Sequence, residues 1–478
     1  MMNRVSLLIA VLALGCGDDA NAPIDAAVDA AVDAAVDAAI DAPPGPDPRR
    51  VVAEVPATPN RNLDLLFVID DSPSMQDKQN NLANNFPNFI SVLASVPGGL
   101  PNLHLGVVTT DMGTKGSEVV APGPAIGQIG VGGCSGTGDA GSLQTNGAPV
   151  TGTFLSDVAG SGSTRVTNYT GTLATAFSTM ARVGAGGCGF EQPLAAMRAA
   201  LDNNAANAGF LRADAVLGVV FLTDEDDCSI RTPTMFGPES AALGPLQSFR
   251  CARFGVTCAT GGNTPDEMNT VGTKGMCAGN ATSQYVTDVT PYRTFLHTLK
   301  GDTRKVVVAG IMGTTAPYAV ELRSPPGGGA PASALAHSCT YNGANGLEVA
   351  DPPARIQAFF DQFPDHSSTS TICQQDLSGG LASVATLLSR AIGSPCLGVT
   401  LADTDPVAAG SQPDCIVEDI DGASVTPISA CGASGPATCW RLVPNPTTCT
   451  LADHLELLVT RSGPPSASTV TRMRCLTI

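Results

Sequence analysis

The chain has 478 residues, a net charge of −18 at neutral pH and only 4% aromatic residues. Its length and apolar content permit a folded core and about two or three domains, which excludes a wholly disordered protein. The acidic balance argues against a nucleic-acid-binding protein and against direct binding to an anionic lipid surface.

The first sixteen residues are typical of a bacterial export signal. Arg4 precedes an apolar run over residues 5–14, which is too short to cross a bilayer. The small residues before Cys16 resemble the lipobox of bacterial lipoproteins, in which the cysteine carries the lipid and becomes the mature N-terminus. We therefore predict a signal peptide over residues 1–16 with lipidation at Cys16. Ordinary secretory cleavage is the alternative, and the chain is exported under both interpretations.

Residues 17–61 are predicted to be a disordered tether. This segment repeats Ala and Asp in "DAAVDAAVDAAVDAAID" and then becomes proline-rich. Aspartates four residues apart repel each other along a helix, and such a composition buries little apolar surface. We therefore expect a protein that is lipid-anchored in the bacterial cell envelope, at the outer membrane or the cell surface.

Four apolar runs predict the strands of a central sheet over residues 62–396. They are residues 63–69, 103–110, 215–222 and 305–312, and continuous apolar runs are typical of parallel strands covered on both faces. Helical spacing follows the first run between Met75 and Val96. Further helices are predicted over residues 191–202, 291–299, 353–363 and 381–392. This alternation predicts a doubly wound, mostly parallel, Rossmann-like α/β sheet.

Two long insertions and a C-terminal module complete the predicted organisation. The insertions lie near residues 113–162 and 228–277, and residues 397–478 read as a small cysteine-rich β module. Fourteen cysteines follow Cys16, and an even number in an exported chain favours disulfides, whose connectivity the sequence leaves open.

Polar residues crowd the ends of two of the predicted strands. Asp70, Ser72 and Ser74 form a D-x-S-x-S motif directly after the first strand, and Asp224 follows the strand at 215–222 in "TDEDD". Ligands bind at the carboxyl ends of strands in open α/β sheets, and hard divalent cations prefer oxygen ligands. Capping of the following helix by Ser72 or Ser74 is the alternative interpretation.

The two motifs resemble the von Willebrand factor type A domain and its metal-ion-dependent adhesion site. The resemblance implies that Asp70, Ser72, Ser74 and Asp224 hold Mg²⁺, or Ca²⁺ or Mn²⁺, with one coordination position open to an acidic group of a partner. The family also uses a threonine from a later loop, where this chain has Ala185 or a neighbouring glycine. Glu225 replaces the glycine that usually follows the second aspartate.

The leading functional hypothesis is an exported, membrane-tethered binding or adhesion protein that engages an acidic group of a protein or other surface ligand. A structural envelope subunit with a metal-free site is the alternative, and a metal-dependent hydrolase is less favoured. The chain has no G-x-S-x-G and no H-E-x-x-H motif, so we predict no enzyme activity. Its partners are expected to include the membrane, through the lipid anchor, and no nucleic acid.

Overall fold

Strands outnumber helices in the computed structural model, which describes residues 50–96, 98–324, 329–397, 399–405, 407, 412–432, 437–446, 449, 453–466 and 468–478. The strands are β1 (Arg50–Pro56), β2 (Asn62–Ile69), β3 (Asn102–Thr109), β4 (Leu155–Ala159), β5 (Arg165–Thr167), β6 (Val216–Leu222), β7 (Val256–Thr260), β8 (Gly272–Gly279), β9 (Val306–Met312), β10 (Tyr318–Arg323), β11 (Ala332–Leu335), β12 (Cys339–Gly343), β13 (Gly346–Ala350), β14 (Ser367–Thr371), β15 (Cys415–Asp421), β16 (Ser424–Ile428), β17 (Cys439–Pro444), β18 (Leu455–Thr460) and β19 (Val470–Leu476). The helices are α1 (Gln76–Ala94), α2 (Leu173–Met180), α3 (Pro193–Leu201), α4 (Phe249–Gly255), α5 (Pro265–Met268), α6 (Thr290–Lys300), α7 (Ala354–Phe360) and α8 (Ser378–Ala391).

The largest sheet has seven strands in the order β14-β9-β6-β2-β3-β4-β5. Strands β14, β9, β6, β2 and β3 are parallel, whereas β4 and β5 continue the sheet antiparallel. The four apolar runs of the sequence form β2, β3, β6 and β9, so these four strands are confirmed. Ile69 pairs with Leu222 on one side and with Thr109 on the other, which aligns the carboxyl ends of three strands.

The predicted fold class, a doubly wound and mostly parallel α/β sheet, is wrong for this chain. The seven-stranded sheet is mixed, and twelve of the nineteen strands in the described residues belong to four smaller sheets. Every strand pairing resolved within those smaller sheets is antiparallel. Long apolar runs identify only strands that are buried on both faces. The sequence predicts β structure in the C-terminal module, but the antiparallel strands before residue 397 were missed because they are short and mostly only partly buried.

Strand β2 divides the core into two layers because successive side chains of a strand point to opposite faces. Leu65, Phe67 and Ile69 pack on one face, against α1, α2 and α8. Leu66 and Val68 pack on the other face, against α3, α6 and α7. Phe67 lies at the centre of the first layer, where its ring centroid is 4.7 Å from that of Phe177.

Disulfides hold the segments outside the largest sheet. Seven of them pair all fourteen cysteines that follow Cys16: Cys134–Cys188, Cys228–Cys251, Cys258–Cys277, Cys339–Cys373, Cys396–Cys449, Cys415–Cys475 and Cys431–Cys439. The predicted insertion at 228–277 contains two of these links. Strands β15 to β19 lie within the predicted C-terminal module, where β19 pairs with β15.

Part of the predicted tether is a strand. Strand β1 lies within residues 17–61 and neighbours β19 in the C-terminal four-stranded sheet. The chain divides into two units, Met1–Arg50 and Val51–Ile478. The signal peptide, Cys16 and the tether up to residue 49 lie outside the described residues. Within the described part of the chain, no helix combines the length and the apolar character needed to span a bilayer.

Truncation of the central aromatic side chain should destabilise the protein strongly. Phe67 is fully buried against Phe86 and Phe177, so Phe67→Ala should leave a cavity that costs about 3–5 kcal/mol. Val166→Ala on edge strand β5, where the side chain is exposed, should change stability by no more than about 0.5 kcal/mol. Urea unfolding followed by circular dichroism measures both, and equal effects would contradict the described core.

Candidate functional site

The pairing of β2 with β6 brings two distant segments together. Because Ile69 and Leu222 are register partners, Asp70 and Thr223 leave the sheet at the same edge. The backbone N–H of Asp70 donates to the carbonyl oxygen of Leu222 at 2.9 Å. The carboxyl ends of parallel strands are where open α/β sheets place ligands.

Three of the predicted site residues form a continuous row of oxygens at this edge. The hydroxyl oxygens of Ser72 and Ser74 are 3.1 Å apart. The Ser74 hydroxyl donates to Oδ1 of Asp224, also at 3.1 Å. Residues separated by 150 positions therefore meet, as the sequence predicts.

Asp70 has a different place in the arrangement. Its Oδ1 accepts from the backbone N–H of Ser72 at 2.8 Å, and its Oδ2 accepts from the hydroxyl of Thr223 at 2.7 Å. The buried Asp70 carboxylate therefore fixes the turn that carries both serines to the segment that carries Asp224. Thr223 is a positioning residue that the sequence analysis missed, although it stands next to Asp224.

The two serines do not cap the following helix. Helix α1 begins at Gln76, its N-cap residue is Met75, and no side chain caps it. The hydroxyls point instead to each other and to Asp224. The capping interpretation of the D-x-S-x-S motif is therefore wrong.

Glu191 stands beside the site and was missed as a functional residue. It is 1% exposed, its Oε2 accepts a hydrogen bond from the hydroxyl of Thr110, and its Oε1 has no hydrogen-bond partner among the residues that the structure describes. The sequence segment where the resemblance places a threonine contains Ala185 and ends near this glutamate. An acidic residue at the start of a predicted helix was the available signal.

A second carboxylate near the site also has an unpaired oxygen. Asp71 is 7% exposed, and its Oδ1 has no hydrogen-bond partner within the described part of the chain. Burial, together with the charges of Asp70, Asp111 and Asp139, raises the pKa of Asp71 to about 8. The edge of the sheet therefore holds more buried carboxyl groups than its hydrogen bonds keep ionised at neutral pH.

Burial and mutual repulsion raise the pKa of the other carboxyl groups here. Burial, and then the charge of Asp224, raises the pKa of Asp70 to about 6. Burial, and then the charges of Asp70 and Asp71, places the pKa of Glu191 well above its usual range. Burial also raises the pKa of Glu225, with Asp351 and Asp224 adding to the effect. A bound cation would relieve this repulsion.

Lys78 supplies a positive charge to this acidic edge. Its ammonium group lies 2.9 Å from Oδ2 of Asp224 and 2.8 Å from Oε2 of Glu348, and it donates to the carbonyl oxygen of Ser74 at 3.1 Å. Burial lowers the pKa of Lys78, but the charges and hydrogen bonds of Asp224 and Glu348 more than offset this, so its pKa is raised. The sequence analysis did not identify this residue.

A cavity of about 480 Å³ opens beside the row of oxygens, with Ser74 and Asp224 in its lining. Phe249, Leu335 and Val349 contribute apolar surface to its wall, and Arg323 contributes a positive charge. The cavity is large enough for one or two side chains of a partner.

The described residues contain no metal centre built only from carboxylate, thiolate and imidazole ligands. Within the residues that the structure covers, no group of three or more His, Cys, Asp or Glu side chains is arranged to hold a metal ion. The predicted set differs from such a group because it combines two hydroxyls with carboxylates.

Comparisons with known proteins give only distant likenesses. No protein-family model and no curated protein sequence matches the chain. The pilus adhesin SpaC from Lactobacillus rhamnosus GG, in its open conformation, is 9% identical with a TM-score of 0.30, over 90% of this chain and 43% of that one. The pilus adhesin RrgA from Streptococcus pneumoniae is 10% identical with a TM-score of 0.20, over 89% of this chain and 57% of the adhesin.

A third similar structure is proximal thread matrix protein 1 from the mussel byssus, at 10% identity and a TM-score of 0.28, over 68% of this chain and 49% of that protein. The chain thus spans less than two thirds of each of these proteins. Two of the three are pilus adhesins, and at these scores the likenesses carry no conclusion about the role, a ligand, a metal or a von Willebrand factor A domain.

The disulfides show that the protein belongs to an oxidising compartment. All fourteen cysteines after Cys16 are paired, and such density is typical of exported proteins and rare in the cytosol. The protein is therefore exported.

The buried carboxyl groups predict an unusual dependence of stability on pH. The pKa values of Asp70, Asp226 and Asp71 are raised to about 6, about 7 and about 8. A carboxyl group with a raised pKa stabilises the fold while it is protonated, and this contribution is lost as the pH rises through the folded-state value. In a chelating buffer, we expect the Tm to fall between about pH 4 and about pH 8.

Asp71→Asn should flatten the upper part of this decline, because the pKa of Asp71 is the highest of these three values, whereas Asp202→Asn at an exposed site should not flatten it. Differential scanning calorimetry across the pH range measures both variants. A wild-type Tm that rises steadily with pH would contradict the arrangement.

Proposed function

We propose that this exported protein is a lipid-anchored binding or adhesion protein that engages an acidic group of its partner through a divalent cation at the row of oxygens from Ser72, Ser74 and Asp224. The observation that carries the proposal is the meeting of these oxygens across two parallel strands, at 3.1 Å spacings. The proposed anchor is Cys16, and the resemblance to the von Willebrand factor A domain stays a prediction.

The spacing of the row fits Mg²⁺. Adjacent ligands of an octahedral Mg²⁺ site are about 2.9 Å apart, as follows from the usual bond length. The two spacings of 3.1 Å are close to this value, and the more variable geometry of Ca²⁺ accommodates them as well. All the ligand atoms of the row are oxygens, which suits a hard cation, and the nearby Oε1 of Glu191 has no hydrogen-bond partner among the described residues.

Each residue has a distinct part in the proposed site. The hydroxyls of Ser72 and Ser74 and the carboxylate of Asp224 would hold the cation, while Asp70 and Thr223 keep the two segments in place. When bound, the cation supplies positive charge and an open coordination position that attract an acidic group. The cavity beside Asp224 would receive the side chains that flank this group.

A second function, a structural envelope subunit with a metal-free site, is favoured by Lys78. Its buried ammonium group already pairs with Asp224, so the carboxylate has a counter-ion without any metal. Under this hypothesis, chelation would leave the protein and its assembly unchanged.

Addition of Mg²⁺ should stabilise the protein at neutral pH. A ligand that binds only the folded state adds about 2.7 kcal/mol at a concentration one hundred times its Kd, which raises the Tm. The increase should be larger at about pH 8 than at about pH 5, because protons and the cation compete for the same carboxylates. Thermal scans with Mg²⁺ or EDTA measure the effect.

Ser72→Ala and Ser74→Ala should each abolish most of the increase, whereas Ser383→Ala, at an exposed position on α8, should retain it. Adhesion of beads coated with the wild-type protein to whole cells or to extracted envelope should be lost in EDTA and with Ser72→Ala. If the Tm and the adhesion are indifferent to EDTA, the metal-free subunit is the better hypothesis.

Glu191→Gln should affect stability and cation binding in opposite directions. Removal of a buried, half-paired charge should stabilise the chelated protein, because the repulsion with Asp70 and Asp71 disappears. The same change should weaken Mg²⁺ binding by about 1 kcal/mol through the lost Coulomb attraction. Calorimetric unfolding and titration measure the two effects, and a loss of stability in EDTA would contradict this interpretation.

A further inference from the structure

Lys78 is placed as a cation within the site rather than as an ordinary surface lysine. Its side chain is fully buried, and an ammonium group has three N–H donors. Three acceptors surround it: Oδ2 of Asp224, Oε2 of Glu348 and the carbonyl oxygen of Ser74. Two of these residues, Asp224 and Ser74, belong to the row of oxygens that forms the proposed cation site.

The two oxygens of the Asp224 carboxylate are engaged on different sides. Oδ1 accepts from the Ser74 hydroxyl, and Oδ2 lies against the Lys78 ammonium. A cation bound to the row would meet a carboxylate whose charge is already neutralised, and it would lie close to a second positive charge. Lys78 and a divalent cation therefore compete for the same carboxylate.

The hairpin of β12 and β13 holds Lys78 in this position. Glu348 on β13 pairs with the ammonium group. On β12, the hydroxyl of Tyr341 donates to Oδ2 of Asp77 at 2.7 Å. The backbone N–H of Ala344, in the turn, donates to Oδ1 of Asp77 at 3.2 Å. The hairpin is thus docked on the first turn of α1, next to Lys78.

A glycine permits this close docking. A Cβ atom at Gly343 would lie 2.6 Å from Oδ2 of Asp77 and 2.6 Å from Cγ of Glu348. A larger residue would displace the side chains of Asp77 and Glu348, which are the two groups that dock the hairpin on α1. The disulfide Cys339–Cys373 fixes the base of the hairpin, so such a change would loosen its tip without releasing the whole element.

We propose that Lys78 is a built-in competitor of the divalent cation, and that the β12–β13 hairpin regulates the site by holding Lys78 on Asp224 through Glu348. This inference rests on the proposed function. Cation binding then requires Lys78 to leave Asp224. The apparent affinity therefore equals the intrinsic affinity multiplied by the fraction of molecules in which the ammonium group is displaced. A partner that lifts the hairpin would increase that affinity.

The test compares Mg²⁺ binding by isothermal titration calorimetry in four full-length proteins. The double variant Lys78→Met/Glu348→Gln removes both charges of this ion pair. No Glu348 carboxylate is then left without its partner. Gly343→Ala loosens the hairpin without changing any charge. Lys300→Met is the matched control, because Lys300 is also fully buried, 4.0 Å from Asp64 at the other end of β2.

We expect the double variant and Gly343→Ala to bind Mg²⁺ about tenfold more tightly than the wild type, and Lys300→Met to bind with unchanged affinity. As an independent measurement, an amine-reactive label followed by mass spectrometry should modify Lys78 faster when Mg²⁺ is present, with Lys300 as the internal reference.

The outcomes separate this inference from the proposed function. Equal Mg²⁺ affinity in the wild type and the double variant, with no change in the labelling of Lys78, would overturn the inference and leave the cation site standing. Binding by the double variant alone would support Lys78 as the competitor and contradict cation binding by the wild type. No binding by any of the proteins would overturn both.

Discussion

The candidate site depends on the parallel pairing of β2 with β6. Their register places Ile69 beside Leu222, so the turn after β2 and the turn after β6 begin at the same level of the sheet. The carboxylate of Asp70 then joins the two turns through the N–H of Ser72 and the hydroxyl of Thr223. A shift of one residue in this register would separate Ser74 from Asp224 and would turn the buried side chains of β2 to the wrong face.

Uncompensated negative charge is the second constraint on this edge of the sheet. Asp70, Asp71, Asp224 and Glu191 are all buried, and the pKa of each is raised. Such an arrangement costs folding free energy, and proteins retain it mostly where it serves binding or catalysis. The ammonium group of Lys78 offsets part of that cost at Asp224. The metal-dependent and the metal-free hypotheses therefore differ in whether Lys78 or a metal ion neutralises the Asp224 carboxylate.

The rest of the chain is built by a different principle from that of the largest sheet. Its small sheets have little apolar surface of their own, and disulfides such as Cys258–Cys277 and Cys415–Cys475 link neighbouring strands directly. A disulfide limits the conformations of the unfolded chain and so supports segments that cannot form a large core. This explains how long, glycine-rich insertions stay ordered around the candidate site, and why the overall fold is mixed.

The sequence by itself determined the four buried strands, the main helices, the disulfide-rich composition and the D-x-S-x-S and Asp224 pair, because apolar periodicity and side-chain chemistry are local properties. It did not determine the fold class, since β4, β7 and β8 have no long apolar run and form only where neighbouring strands and disulfides hold them. Nor could it identify Lys78, Thr223 or Glu191 as parts of the site. Tertiary structure alone decided these contacts, because Lys78 meets Glu348 from 270 positions away, and Glu191 meets Thr110 from 81 positions away, only after the sheet and hairpin have formed.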